Sequence, residues 1–257
     1  MNLYNFKIVS FSIVCAILIV ITSSQCKIQP KVHTLPMNDK GFAVMELFTS
    51  QGCSSCPPAD NLLGKYAAQN NDKQITLAFH VDYWNRLGWT DSFSTAAFSD
   101  RQRAYANMID NSSVYTPQLI INGTKEFVGS DDSKIAVEVS KVLKEKPAVL
   151  ISIDKTERKG NTILINYQLD KIVTHTTLQT ALVQKQVFTN ILKGENEGLK
   201  LTNYNVVRDF KTTNINNKIA ITELQLPAGY SEKDFAIVLY VQEAASGKII
   251  GATKKDL

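Results

Sequence analysis

The stretch that most limits what this chain can become is residues 47–60, LFTSQGCSSCPPAD, in which two cysteines stand two residues apart and two prolines follow at once. A short apolar run, GFAVMELFTS at 41–50, precedes it as a strand. ADNLLGKYAAQ at 59–69 follows it, with Leu62, Leu63, Tyr66 and Ala67 at helical spacing. ITLAFHVDYW at 75–84 reads as a further strand, too continuously apolar at its start to have a solvated face. Strand, helix, strand in quick succession is a βαβ unit, and its two strands run parallel. The cysteine pair therefore falls on the turn between the first strand and its helix.

Alone, C-x-x-C fits a redox centre, half of a zinc site or a structural clip. Its place narrows the choice. At a helix N-terminus the free backbone N–H groups and the positive end of the macrodipole favour a thiolate, which attacks disulfides and also leaves well. Pro57 and Pro58 have no N–H, so an undistorted helix begins no earlier than about Cys56. Cys53 is then expected in the loop as the exposed attacking thiol, and Cys56 in the first helical turn as the shielded resolving thiol. The same prolines remove two amides that would stabilise a thiolate, so only a modest pKa shift is expected.

Farther along, residues 85–112 read as a polar helical insertion, with TAAFSDRQRAYANMI (95–109) as an amphipathic helix. TPQLIINGTKEFVG (116–129) is a hairpin turning at Asn122-Gly123, and DDSKIAVEVSKVLKE (131–145) is a closing helix. After Lys146-Pro147 the pattern changes to alternating, β-branched runs at 148–154, 162–169, 178–187, 203–210, 220–226 and 235–243, with a last hairpin at Ser246-Gly247. Six or seven short antiparallel strands point to a β-sandwich. A chain of 257 residues, 44% hydrophobic, has ample material for two such bodies. Its net charge of +4 comes from scattered Lys and Arg without a basic stripe, which argues against nucleic acid as a partner.

At the N-terminus, Lys7 and an apolar run from Ile8 to Ile21 lead into small polar residues. The run is shorter than the ~20 residues that a bilayer needs, so it reads as a secretory signal cleaved after Ser24. Cys26, just beyond it, keeps lipidation open, and an uncleaved anchor is the third reading; either would tether the protein to a membrane. Export to a periplasm or beyond means oxidising surroundings, where paired thiols persist as disulfides. With Cys15 in the signal and Cys26 the odd one out, a single pair remains, too few for a disulfide-stapled scaffold.

Strand, C-x-x-C, helix, strand, then Thr116-Pro117 before a hairpin and a closing helix, resembles the thioredoxin fold. That resemblance implies a cis proline at Pro117 facing the cysteines. ELFTSQGCSSCPPAD, FHVDYWNRLGWTDSFS (79–94), RQRAYA (101–106), VYTPQLIING (114–123) and GENEGLKLTNYNVVRDF (194–210) are together similar to the secreted DUF1223 proteins, over most of residues 42–250. What this implies is a thioredoxin-like domain with an appended β domain, and no substrate. The chain lacks a Trp before the first cysteine and carries Ser54-Ser55 between the two, so thioredoxin's redox potential does not carry over.

The expected architecture is α/β: a signal peptide at 1–24, a linker at 25–41, a thioredoxin-like domain at 42–146 with a helical insertion at about 85–112, and an all-β, sandwich-like domain at 147–257. His80, Asp82 and Trp84 share one face of their strand, and the carboxyl ends of parallel strands share one rim, so His80 and Asp82 are expected beside the cysteines. There they would assist proton transfer to the leaving thiolate, as would Thr116, or else form a hydrogen-bonded pair that fixes the next loop. Trp84, Trp89 and Phe93 either form a docking surface or bury against the insertion. Arg101, Arg103 and Tyr105 are expected on a solvated helical face, and Arg208 in a salt bridge with Glu195 or Glu197.

Zinc wants a second pair or spaced histidines, which the chain lacks. Copper(I) needs only soft ligands, so Cys53, Cys56 and His80 stay open as a copper site. The expected function is an exported thiol–disulfide oxidoreductase that works on protein thiols or disulfides through Cys53, Cys56 and Pro117 without a cofactor. The alternative is a non-catalytic module, copper-handling or partner-docking, whose disulfide is structural.

Overall fold

Alternation along the first strand decides where the cores lie. In β1 (Ala43–Thr49), Ala43, Met45 and Leu47 face one way while Val44 and Phe48 face the other, and all are buried. Such a strand is central in its sheet and covered on both sides. The computed structural model describes residues 40–69, 72–109 and 113–257. The expected signal peptide, most of the linker, Cys15, Cys26 and His33 lie outside the described residues.

After β1 come α1 (Pro57–Ala68) and β2 (Gln74–His80), which runs parallel to β1 from Ala43↔Gln74 to Thr49↔His80. A single 3-10 turn at 85–87 and α2 (Ala96–Met108) make up the insertion, so its first half is loop rather than helix. β3 (Gln118–Ile121) and β4 (Lys125–Val128) form the expected hairpin, with Asn122 and Gly123 at positive φ, and α3 (Asp132–Val142) follows, capped by Asp131. The second half is seven strands: β5 (Ile151–Lys159), β6 (Thr162–Leu169), β7 (Thr176–Asn190), β8 (Lys200–Asn214), β9 (Ile219–Gln225), β10 (Phe235–Glu243) and β11 (Ile249–Asp256). The described residues are mixed α/β and mostly β, 45% strand against 20% helix.

Eight strands make one sheet in the order β11-β10-β7-β8-β2-β1-β3-β4, and β5-β6-β9 make a second. Residue 147 thus marks a change of element type rather than a gap, because β8 joins β2 in parallel at Ala78↔Val206. The first core lies under α1 and α3, around Met45, Leu63 and Ile135. On the opposite face Phe48, Phe79, Phe98 and Tyr105 pack beneath α2. Between the two sheets, Ile165, Leu182, Phe235, Ile237 and Leu239 fill the third.

β7 and β8 have 15 residues each, while β10 pairs with β7 only from Thr176 to Gln184. The hairpin tip therefore projects past its neighbour and lies along α1. Close approach there depends on Gly64, where a Cβ would come within 2.5 Å of the Tyr204 ring. This overhang delivers the loop at 191–199 to the turn that carries the cysteines.

Two expectations fail locally. β2 ends at His80, and the chain leaves the sheet after one bridge between Val81 and Thr95. Asp82 consequently turns to α2, where Ser99 donates its hydroxyl to the carboxylate at 2.5 Å. On α2 the buried residues Phe98, Gln102 and Tyr105 recur at steps of four and three, so Tyr105 faces the core; Arg101 accompanies it, and only Arg103 stays solvated, paired with Asp100.

Candidate functional site

Cys53 and Cys56 are joined in a disulfide at the end of β1 and the start of α1. Cys56 is the N-cap, one residue ahead of the first helical turn, and Pro57 and Pro58 follow at N1 and N2. The amides of Ala59 and Asp60 are spent on the Cys56 carbonyl, at 2.9 and 3.0 Å. A Cys56 thiolate would thus draw on fewer free amides than a helix start normally offers.

Thr116-Pro117 is cis and stands against this turn. The Thr116 hydroxyl donates to Cys53 Sγ at 3.3 Å and accepts from the Trp84 indole N–H at 2.8 Å, while Ser55 Oγ reaches the Thr116 carbonyl at 3.5 Å. Pro117, Thr116 and the two cysteines are therefore brought together as the sequence suggested. Cys53 is not the exposed thiol expected: both cysteines are 0% exposed, and only Ser54 and Ser55 reach solvent.

The cover comes from the other half of the chain. Asn196, in the loop between β7 and β8, donates its side-chain amide to the carbonyls of Gln51 and Cys53, both at 2.9 Å. Glu195 accepts from the Ser54 hydroxyl at 2.7 Å and the Ser54 amide at 3.2 Å. Glu195 therefore meets the cysteine turn rather than Arg208. That arginine instead donates to Gln184 and lies over the Phe93 and Tyr230 rings.

Beneath the turn lies a buried polar group. His80 Nδ1 is 2.6 Å from Asp91 Oδ2, and neither side chain is exposed. Asp91 also accepts the amides of Gln51 and Phe93, at 2.8 and 2.9 Å. Burial works against a charged His80, yet the Asp91 carboxylate, with Asp60 behind it, raises its pKa above the ordinary imidazole value. Burial likewise opposes a charged Asp91, but His80 and the two amides hold its pKa below the usual carboxylate range. Asp60 has no such set of donors. Burial pushes it up to about 7, against His80 and a 3.1 Å hydrogen bond from Thr49.

Gln51 binds the group together. Its amide nitrogen donates to Thr189 and Asn203 at 2.9 and 3.2 Å, and its oxygen accepts the Trp89 indole N–H at 3.1 Å. Trp84, Trp89 and Phe93 are thus half-buried parts of the scaffold around the site. Asn203 helps to lower the Asp60 pKa by a side-chain hydrogen bond, while the buried His80 Nε2 has no hydrogen-bond partner among the described residues. Among the described residues no three His, Cys, Asp or Glu side chains converge in a way that would hold a metal ion.

Sequence reasoning missed Gln51, Asp60, Asp91, Asn196 and Asn203, and it assigned Glu195 to the wrong partner. Only Asp60 carried a signal, as a carboxylate one turn after Cys56 on the apolar face of its helix. The others arrive from loops and from β8.

The site and the fold around it match, over residues 44–242, a family described as proteins of unknown function, DUF1223. The chain belongs to the DUF1223 family. Its structure is similar to that of protein AGR_C_4864 from Agrobacterium tumefaciens, at 28% identity and a TM-score of 0.65, covering 84% of this chain and 95% of that one. HBP35 of Porphyromonas gingivalis shares the fold at 15% identity and a TM-score of 0.57, covering 86% of this chain and 77% of its own. No curated protein matches. Among the described residues no helix is long and apolar enough to cross a membrane.

Proposed function

We propose that this DUF1223 protein is an exported thiol–disulfide oxidoreductase with a thioredoxin-like site, acting on protein cysteines through Cys53 and Cys56. One observation carries the reading: the disulfide sits between a strand and a helix and against cis Thr116-Pro117, with the Thr116 hydroxyl on Cys53 Sγ. The strand order β2-β1-β3-β4 with α1 and α3 supports the thioredoxin-like description. The apolar N-terminal run and a disulfide, which needs oxidising surroundings to persist, support export.

In the exchange, a partner thiolate attacks Cys53 Sγ and the Cys53–Cys56 bond breaks. Its electron pair leaves on Cys56 Sγ, which takes up a proton, and a mixed disulfide remains. The partner's second thiolate then attacks the partner sulfur, which releases Cys53 as a thiol and leaves the partner oxidised by two electrons. The reverse sequence reduces a partner disulfide with the same atoms. The Thr116 hydroxyl, already on Cys53 Sγ, is placed to donate to that sulfur when it leaves as a thiolate.

The burial of both sulfurs favours a second reading, in which the disulfide merely clips the turn of a partner-docking module. A two-electron potential separates the two. A structural clip should lie below about −300 mV, a working pair above it. Loss of disulfide exchange in Cys53→Ser is the expected companion result, and unchanged exchange in that variant would end the proposal.

A further inference from the structure

A disulfide with no exposed surface cannot be attacked until something moves, so the question is which cover moves most easily. Cys53 meets Thr116, itself held by Trp84, through its sulfur, and the loop at 191–199 through its backbone carbonyl. Thr116 and Trp84 are fixed in the fold: Thr116 precedes β3, which pairs with β1, and Trp84 is tied to Thr116. The loop is different. It closes on itself, with the Ile191 and Leu199 backbones bonded at 2.9 Å and Gly198 bonded back to Ile191 at 2.9 Å.

Its grip on the cysteine turn is polar: two hydrogen bonds from Asn196 and two onto Glu195. Gly194, at φ +84°, sits against Trp89 without a side chain of its own. The loop's large apolar side chains are already in water, Leu192 at 70% and Leu199 at 48% exposure, while Ile191 stays at the hairpin base. Lifting the segment therefore breaks a few hydrogen bonds and exposes little new apolar surface. Such local openings lie far below global unfolding in free energy.

We propose that the loop at 191–199 is a lid over the disulfide, and that Asn196 and Glu195 are the residues that set access to Cys53. The inference rests on the redox reading above, and it gives the second half of the chain a part in the chemistry. When the lid lifts, the carbonyls of Gln51 and Cys53 and the amide of Ser54 lose their partners as the sulfur comes into reach. A reductant then reacts from a minor open population, and its rate scales with that population.

The test is the rate at which dithiothreitol reduces the oxidised full-length protein, followed by quenched alkylation of the released thiols. Each dithiothreitol molecule loses two electrons to form its cyclic disulfide, and Cys53 and Cys56 gain them as thiols. Asn196→Ala should be reduced about tenfold faster or more, because it loses two buried hydrogen bonds. Glu195→Ala, an exposed change that leaves folding intact, should gain several-fold. The unfolding free energy of each oxidised variant is measured alongside. The lid is overturned if Glu195→Ala and Asn196→Ala are reduced at the wild-type rate. It is equally overturned if a destabilising change away from the lid, Arg101→Met at the buried ion pair with Glu46, speeds reduction in proportion to its loss of global stability, since reduction would then proceed through unfolding. The equilibrium poise in dithiothreitol buffers is read separately: a pair as resistant as a structural disulfide ends the redox reading and leaves the rate comparison standing.

Discussion

Among the described residues two buried groups of ionisable side chains are built differently. Around Glu46 every valence is used. Its carboxylate accepts from Arg101 Nε at 3.1 Å, Arg101 Nη2 at 2.8 Å and the Tyr240 hydroxyl at 2.5 Å. The Arg101 guanidinium also reaches Tyr105 and Gln242, and it lies over the rings of Phe79, Tyr105, Phe210 and Tyr240. These residues come from β1, β2, α2, β8 and β10, so the group stitches the two halves together. Around Asp60 and His80 the provision is thinner: one imidazole nitrogen has no partner among the described residues, and burial outweighs what His80, Thr49 and Asn203 offer the Asp60 carboxylate. A saturated network specifies a fold, whereas a buried carboxylate with few donors keeps its proton to a higher pH.

The largest effect should come from breaking the saturated group. Arg101→Met leaves Glu46 charged and alone in the core, and chemical denaturation should show a loss of about 3–5 kcal/mol. Adding Glu46→Leu should restore much of it, because the pair's own net worth is small. If either protein changed the potential of the Cys53–Cys56 pair, the division between structural and reactive groups would collapse.

Next in size is Asp60. Its pKa is raised to about 7 from 3.8, so the folded state binds the proton more tightly than the unfolded one. That contribution is fully present below the unfolded pKa and is lost as pH rises through about 7. Asp60→Asn should abolish it, gaining roughly 3 kcal/mol on wild type at pH 8.5 relative to pH 4. Melting curves at the two pH values measure this; parallel curves for both proteins would show that Asp60 is no proton site.

Asp91→Asn should cost roughly 2 kcal/mol, by leaving His80 without its charged partner. In wild type the raised His80 gives stability that is present below the ordinary imidazole pKa and is lost as pH rises through the raised value. The lowered Asp91 gives stability present above the ordinary carboxylate range and lost as pH falls. A titration of the His80 imidazole by NMR should show its pKa drop in the variant. The smallest change is Ser54→Ala, which removes one hydroxyl bond to Glu195. It should alter stability by less than about 0.5 kcal/mol. Reduction should still quicken about twofold, and a rate equal to wild type would weaken the case for the lid.

Element types were largely legible in the sequence, since they follow from local periodicity. β6 and β10 coincide with the runs that announced them, β7 and β9 lie within three residues of theirs, and β5 and β8 run on four or five residues farther. The strand–cysteine–helix turn was equally legible, because prolines dictate locally where a helix can start. Arg101 and Tyr105 were misplaced because polarity along α2 does not reveal that an aromatic box and Glu46 wait opposite. His80 was paired with the wrong acid for a similar reason. The strand's alternation put Asp82 beside it, but the sheet ends at His80 and the chain turns away, leaving Asp91 to arrive from a loop.

By itself, then, the sequence determined the cysteine turn, its helix and the strand-rich second half, all of them features governed by neighbours a few residues apart, while the cis proline followed only from the resemblance to the thioredoxin fold. Whether Cys53 meets solvent was decided only by the tertiary structure. Asn196 lies 143 positions from Cys53 and reaches it because β7 and β8 outrun β10. No pattern within either segment encodes that meeting, since it depends on the lengths and register of strands paired across the whole sheet.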